Sequence, residues 1–373
     1  MQSNKFTLFN NTYHNKKVLV TGNTGFKGSW LSIWLSMLGA EVHGLSNGIP
    51  SEPSHYESAS LGKHIIHHEK DVRSLTDVRD VVNKVKPDFV FHLAAQPLVR
   101  TAYNDPVATI ETNAMGTMNI LEALRLTDHA CCAVMITSDK CYDNVEWVWG
   151  YRENDALGGK DPYSASKGAA ELIIKTYARS FFDKNDSNVK VVSVRAGNVI
   201  GGGDWAQDRI VPDCIRAWSA TETVQVRNPH ATRPWQHVLE PLSGYLLAGQ
   251  KLRTEPSLNG EPFNFGPSPN QNYTVVELIS RMQQYWPESD VHIEPTNGDD
   301  KRESDLLKLC CDKALHVLGW QPNLDFDETV RYTIDWYRAY YTQDIDVFSM
   351  SCDQIHNYIR QAMDREQTWV RRQ

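Results

Sequence analysis

Apolar and polar positions in the first half of the chain switch repeatedly between two periods. Lys17 to Thr21, "KVLVT", is a short β-branched apolar run, and "FKGSWLSIWLSMLG" then changes to helical spacing and stops at Gly39. "EVHGL" predicts a second strand and "HIIHHEKDV" a third. "SLTDVRDVVNKVKPD" predicts a helix opened by a Ser74-x-x-Asp77 capping pattern and closed by proline. "DFVFHLAA", a long helical stretch through "NAMGTMNILEALRL", the strand "CAVMITS", a further helix and "VKVVSVRAG" continue the series. Strands alternating with helices of this length imply a parallel sheet covered on both faces, with right-handed crossovers.

Beyond Gly197 the pattern loosens. Short strands ("TVQVR", "FNFG", "DVHIEP") mix with helices ("HVLEPLSGYLLAGQ", "TVVELISRMQQYW", "FDETVRYTIDWYRAYY"). The predicted organisation is a first domain over 1–197, a smaller mixed lobe over 198–343 interleaved with it, and a helical tail over 344–373. Composition adjusts this picture little: 373 residues suit about two lobes, and 41% hydrophobic with 23% charged residues is ordinary for a globular enzyme. A net charge of -8 excludes nucleic acid as a main partner, because phosphate backbones need a concentrated basic surface. The seven cysteines show no CxxC spacing, so neither a metal site nor a disulfide framework is expected. "WLSIWLSMLGAEV" falls far short of the roughly 20 apolar residues that cross a bilayer, and the N-terminus has no secretory core. A cytoplasmic protein without a membrane partner is expected.

"VTGNTGFKG" sets Gly22, Gly25 and Gly28 between the first strand and the first helix. Glycines there permit a tight turn and close backbone approach, and the helix start offers free N–H groups to a pyrophosphate. The loop Gly22, Asn23, Thr24, Gly25, Phe26, Lys27 and Gly28 is therefore the candidate cradle of a dinucleotide. The acid usual at the end of the second strand is replaced by Ser46 and Asn47. With no arginine ready for a 2′-phosphate, NAD is the expected cofactor. Asp71, after the third strand, is a candidate partner for the adenine amino group.

"YSASK" places Tyr163 and Lys167 one helical turn apart, on one face. A phenol titrating near about 10 is a poor base until neighbouring positive charge lowers it. The strand before that helix ends in "TSDK", which sets Ser138, Asp139 and Lys140 side by side. Taken in order, "TGNTGFKG", "HLAA", "TSDK", "YSASK", "VVSVRAGNVIG", "RPWQHV" and "LGWQP" resemble the extended short-chain dehydrogenase/reductase family along nearly the whole chain. Among its branches the sequence is most similar to the nucleotide-sugar 4,6-dehydratases. These carry hydroxyl-Asp-Glu before the Tyr-x-x-x-Lys pair, and lysine here replaces the glutamate. That departure, with "NVIGGGDW" and "RPWQHVLEPL", resembles the group acting on CDP-glucose.

The resemblance implies a Rossmann-type α/β fold with a smaller mixed α/β substrate lobe. It adds Val72, Leu93, Ala94 and Ala95 to the NAD surface. Tyr163 is then the base for the 4-hydroxyl and Lys167 its charged partner on the nicotinamide ribose. Asp139 is the acid for the departing 6-hydroxyl, Lys140 the group at carbon 5, and Ser138 a hydrogen-bond donor to the 4-oxygen. Arg209 and Arg233 are expected on the diphosphate, since a guanidinium fork suits it. Asn198 and Arg302 are expected near the sugar or phosphate, and Gln96 and Arg100 near the hexose. The resemblance also implies a homodimer or dimer of dimers, and a supply of deoxysugars to bacterial surface polysaccharide. A 4-epimerase or decarboxylase of the same architecture needs no Asp-Lys elimination pair. A catalytically silent NAD sensor has no need of the intact Tyr163 and Lys167. His67 and His68 in "HIIHHE" face opposite ways in a strand and are not expected to hold metal. Trp30 and Trp34 are expected in the core.

Overall fold

A computed structural model describes residues 6–183, 187–226, 229–293 and 306–372. Its centre is a seven-stranded sheet of β1 (Lys17–Thr21), β2 (Glu41–Ser46), β3 (Ile66–Glu69), β4 (Phe89–His92), β5 (Cys131–Ile136), β6 (Val189–Ala196) and β7 (Pro262–Phe265). The spatial order is β7-β6-β5-β4-β1-β2-β3, and every pairing is parallel. β4 and β5 are buried throughout, which is why they read as unbroken apolar runs rather than alternating ones. Two apolar clusters lie on either side. One gathers Trp30, Trp34, Phe91, Val134 and Leu246, and the other Leu19, Val78, Val90, Ile120 and Ile174.

The first helices start where their sequences say. α1 (Phe26–Met37) follows the glycine turn, and α2 (Leu75–Val85) is capped by Ser74, whose hydroxyl accepts from the Asp77 N–H. Asp77 does not close the box; its carboxylate pairs with Lys70 instead. The long helical stretch after β4 is broken. Val99–Asn104 gives way at Asp105, which caps Pro106–Ile110, and a widened turn over Glu111–Met115 leads into α3 (Gly116–Arg125). Pro106 has no N–H to continue the first segment but suits the first position of the next. α4 (Pro162–Tyr177) uses the same Asp-Pro device, Asp161 accepting from the Ser164 N–H at 2.9 Å.

"FNFG" extends the main sheet as β7 rather than joining the small strands of the second half. α6 (Leu239–Thr254) supplies the long crossover that a parallel neighbour of β6 requires. α5 (Ile210–Ser219), the pair Thr223–Val226 with Asp290–Ile293, and the pair Thr232–Arg233 with Tyr273–Thr274 lie in the second half, along with α7 (Val275–Tyr285) and α8 (Phe326–Thr342). α9 (Val347–Asp364) packs its apolar face on α1, with Tyr358 edge-on to Trp34 at 5.7 Å. Both tryptophans of α1 are core residues, and Trp30 donates to the Gly202 carbonyl at 2.8 Å. The chain ends as a strand, Val370–Arg372, antiparallel to Phe6–Leu8.

Candidate active site

β1 and β4 are adjacent but lead to opposite halves of the sheet, so a crevice opens beyond their carboxyl ends. Gly22 turns here with φ +71°, and a Cβ on it would sit 2.8 Å from the Ala94 nitrogen. A Cβ on Gly28 would lie 2.0 Å from the Gly22 carbonyl oxygen. No side chain caps the start of α1, so its first N–H groups remain for a ligand. Thr21 reaches across the crevice floor, its hydroxyl 2.7 Å from the His92 imidazole and 3.1 Å from the Ala94 N–H. His92 in turn meets Thr117 at 3.2 Å; burial holds this ring neutral, its pKa lowered to about 3. These features fit a dinucleotide.

Around that cradle, buried Asn23 accepts from the Ser46 hydroxyl at 2.8 Å, and Thr24 donates to the Gly48 carbonyl at 2.7 Å. Phe26 packs against Gly201. The expected adenine partner Asp71 is held by Arg73 through Nε and Nη2, at 2.9 and 2.6 Å from Oδ2, and by Asn47 at 3.1 Å. Arg73 keeps its carboxyl below the usual range. Val72 is buried beneath Gly116. Leu93, Ala94 and Ala95 form the half-buried exit of β4.

Beyond β5 the chain turns through Asp139–Cys141. Ser138 caps this turn, its oxygen accepting from the Lys140 N–H at 3.2 Å. Asp139 is 5% exposed, and its Oδ1 accepts from the Ser138 hydroxyl and the Lys140 N–H, each at 2.9 Å. Its Oδ2 lies against Gly197, where a Cβ would come within 1.9 Å. Lys140 is half-buried, so this corner is not a solvated loop tip.

Tyr163 and Lys167 are both buried on α4. Ser138 and the Asp139 carboxylate both lie close enough to the phenol to shift it, in opposite directions. The protein by itself does not lower this phenol as the positive neighbours suggested. Burial pushes it up to about 12, with Asp139 adding to the rise, and Ser138 and Arg209 only partly offset them. Lys167 is lowered to about 8 by desolvation, against the favourable carboxylate charge of Glu171. Lys27, on the first turn of α1, is likewise lowered to about 8, by desolvation first and then by Arg209, with Lys167 contributing and Asp139 and Asp204 opposing. Lys27, Arg209, Asp139, Lys167 and Tyr163 thus share one electrostatic neighbourhood.

The remaining candidates are spread more widely. Arg209 donates to Asp204 at 2.7 Å beside Tyr163. Asn198 takes a left-handed backbone, φ 53°, which asparagine tolerates, directly after Gly197. Arg233 donates to the Thr232 carbonyl at 2.8 Å on its short strand. Gln96 commits its side chain to its own loop, donating to Leu98 and Thr109 and accepting from the Leu98 N–H. Arg100 pairs with Asp208 at 2.8 Å in an exposed bridge. Arg302 lies outside the described residues. His67 meets Asn23 whereas His68 meets His43, on opposite faces of β3. From the sequence Gly197 marks only the end of the first domain, and its place behind the Asp139 carboxylate emerges from the fold. The same holds for Glu171 and Arg195, a buried ion pair beneath the site at 2.7 Å.

A sequence profile of the GDP-mannose 4,6 dehydratase family matches residues 19–333. The chain is 46% identical to a CDP-glucose 4,6-dehydratase of Salmonella typhimurium over 333 residues, 88% of this chain and 92% of that one. It is 27% identical to a CDP-paratose 2-epimerase of Salmonella typhi, covering 86% and 98%. Among solved structures, the UDP-glucose 4-epimerase of Thermus thermophilus in complex with NAD superposes with a TM-score of 0.72 at 26% identity, covering 86% of this chain and 99% of that one.

Proposed function

The chain belongs to the GDP-mannose 4,6 dehydratase family of extended short-chain dehydrogenases/reductases, and from that premise we propose that it is a hydro-lyase converting CDP-D-glucose to CDP-4-dehydro-6-deoxy-D-glucose with NAD as a recycled cofactor. The observation that carries this reading is the buried, internally hydrogen-bonded Ser138–Asp139 corner, close enough to act on the Tyr163 phenol, with Lys140 at the next position. Simple oxidation at one carbon needs only the tyrosine and lysine. A protected acid beside them suits expulsion of a hydroxyl. The choice of cytidine rests on the likeness to the Salmonella typhimurium relative.

The glycine turn from Gly22 to Gly28 and the start of α1 would hold NAD, which would supply a hydride acceptor for sugar carbon 4 and a donor for carbon 6, so that the net change is loss of water. Tyr163 removes the proton of the 4-hydroxyl, with Ser138 and Arg209 as the groups of this chain that favour its phenolate. Ser138 then holds the 4-oxygen. The 4-ketone acidifies the hydrogen on carbon 5, and Lys140 serves that side of the elimination, as an amine that removes the proton or an ammonium that steadies the enolate. Asp139 is the acid of this chain placed to hand a proton to the departing 6-hydroxyl. Arg209 and Arg233 hold the diphosphate, and Asn198 lies near the sugar. Asp71 receives the adenine end of the cofactor.

The protein works as a homodimer or dimer of dimers in the cytoplasm. Val107 and Ile110, on the helical segment before α3, and Leu172 on α4 are 65%, 45% and 55% exposed, an apolar group suited to a second copy. Seven free thiols agree with a reducing compartment. Among the described residues no helix is long and apolar enough to cross a membrane. The test of substrate is a side-by-side assay of CDP-, dTDP-, GDP- and UDP-glucose with NAD, followed by alkali to develop the ultraviolet absorbance of a 4-keto-6-deoxy sugar. CDP-glucose should turn over fastest. Preference for another nucleotide, or recovery of a 4-epimer, would overturn the assignment.

A further inference from the structure

The acid corner and the tyrosine face ride on different elements, so some contact has to fix one against the other. Glu171 lies one turn beyond Lys167 on α4, 3% exposed, and faces Arg195 of β6, 2% exposed. Its Oε1 accepts from Thr137 at 2.5 Å and from Arg195 Nε at 2.9 Å; its Oε2 accepts from Ser193 at 2.9 Å and from Arg195 Nη2 at 2.7 Å. Thr137 directly precedes Ser138. Arg195 stands two residues before Gly197, which backs the Asp139 carboxylate. The rest of the guanidinium donates to the Tyr142 hydroxyl at 2.6 Å and the Glu153 carbonyl at 3.1 Å, and stacks over the Tyr142 ring at 4.8 Å. Tyr142 passes the link to Asn264 of β7 at 2.8 Å.

We propose that the Glu171–Arg195 pair is a positioning unit for the dehydratase reaction proposed above, on which the inference rests: it sets Tyr163 and Lys167 at a fixed distance and charge relative to Ser138 and Asp139. A pair needed only for stability would be replaceable by apolar residues of similar volume, because burying two charges costs much of what their attraction returns. Two further facts point to position. Of the four links to the carboxylate, one comes from Thr137, next to Ser138, and three come from β6, which runs on to Gly197 behind the Asp139 carboxylate. The charge of Glu171 also acts directly on Lys167 and favours its ammonium. The other titratable groups that act on Lys167 are Cys141 after β5, His92 of β4 and Lys27 of α1, and none of them is altered in the test below.

The test compares Glu171→Gln, Arg195→Met and the double variant Glu171→Leu with Arg195→Met, assayed on whichever nucleotide sugar the wild-type protein turns over. Each single variant should lose about 100-fold in kcat with KM little changed, as expected for misplacement of about 1 Å. The titration of Lys167 should fall in Glu171→Gln, where its stabilising carboxylate is gone, and fall also in Arg195→Met, where the buried carboxylate loses the cation that keeps it ionised and takes up a proton. The shift is read from the pH dependence of kcat and, without turnover, from the pH dependence of Lys167 acetylation by mass spectrometry. The double variant should regain thermal stability but not kcat. Recovery of both in the double variant, or single variants whose loss only tracks the unfolded fraction while Lys167 stays put, would overturn the proposal. Failure of CDP-glucose alone to react would instead count against the assigned substrate.

Discussion

At the scale of single residues, Gly197 and Lys140 separate shape from chemistry. Gly197 contributes space: any side chain there collides with the Asp139 carboxylate at 1.9 Å. Gly197→Ala should therefore lower kcat by about 100-fold by displacing the acid. It should leave NAD affinity, measured by calorimetry, near that of the wild type, because the glycine turn is built from another strand. A loss of NAD affinity equal to the loss of kcat would contradict this. Lys140→Met should slow elimination by roughly 100-fold or more, the usual weight of a general acid or base. Elimination would then limit turnover, so the isotope effect from deuterium at sugar carbon 4 should shrink toward unity. An undiminished isotope effect beside a lowered kcat would mean that Lys140 only shapes the pocket. Both positions stand in motifs visible in the sequence, but only Lys140 was noticed. A charged residue in an unusual place catches attention, whereas a glycine's role depends on which atom lies opposite, and that atom is 58 residues away.

At the scale of elements, strand and helix positions were legible because local rules set them: apolar runs for β4 and β5, and Asp-Pro starts for α4 and the segment after Asp105. The neighbour of β7 was not legible, since pairing with β6 depends on a crossover through α6 rather than on the four residues of the strand. Glu240 makes the same point for polar groups. Buried at the start of α6, it accepts from the Asn323 and Leu324 N–H groups, each at 2.8 Å, and neighbours Tyr358 of α9. Burial raises its carboxyl to about 7 from an ordinary 4.5. Between those values the folded state holds a proton that the unfolded state has released, so this group's contribution to stability falls as pH rises through the window, by roughly 3 kcal/mol in all. Glu240→Gln removes that slope. Its melting temperature relative to wild type should improve from pH 5 to pH 8; a constant or widening deficit would mean that Glu240 is charged throughout.

At the scale of the whole molecule, the crevice is assembled from distant stretches: the glycine turn, the ends of β4 and β5, α4, and the segment carrying Gly197, Asn198 and Arg209. The glycine loop, Ser138, Asp139, Tyr163 and Lys167 were legible because each falls in a short motif with a mechanical reason for its spacing. The phenol's high pKa was not, because it depends on burial that no local pattern reports. The association proposed above belongs to this scale: Val107→Glu combined with Leu172→Glu should halve the mass found by light scattering, and an unchanged mass would contradict an interface on this face. The central claim is that one hexose meets the phenol, the acid corner and the cofactor in a single closed cycle. CDP-glucose carrying deuterium at carbon 4, turned over in ordinary water and again as unlabelled substrate in deuterated water, tests it by mass spectrometry of the product. The carbon 4 label should reappear at carbon 6, and solvent deuterium should enter at carbon 5. Loss of the carbon 4 label to solvent, or a product that retains its 6-hydroxyl, would contradict it.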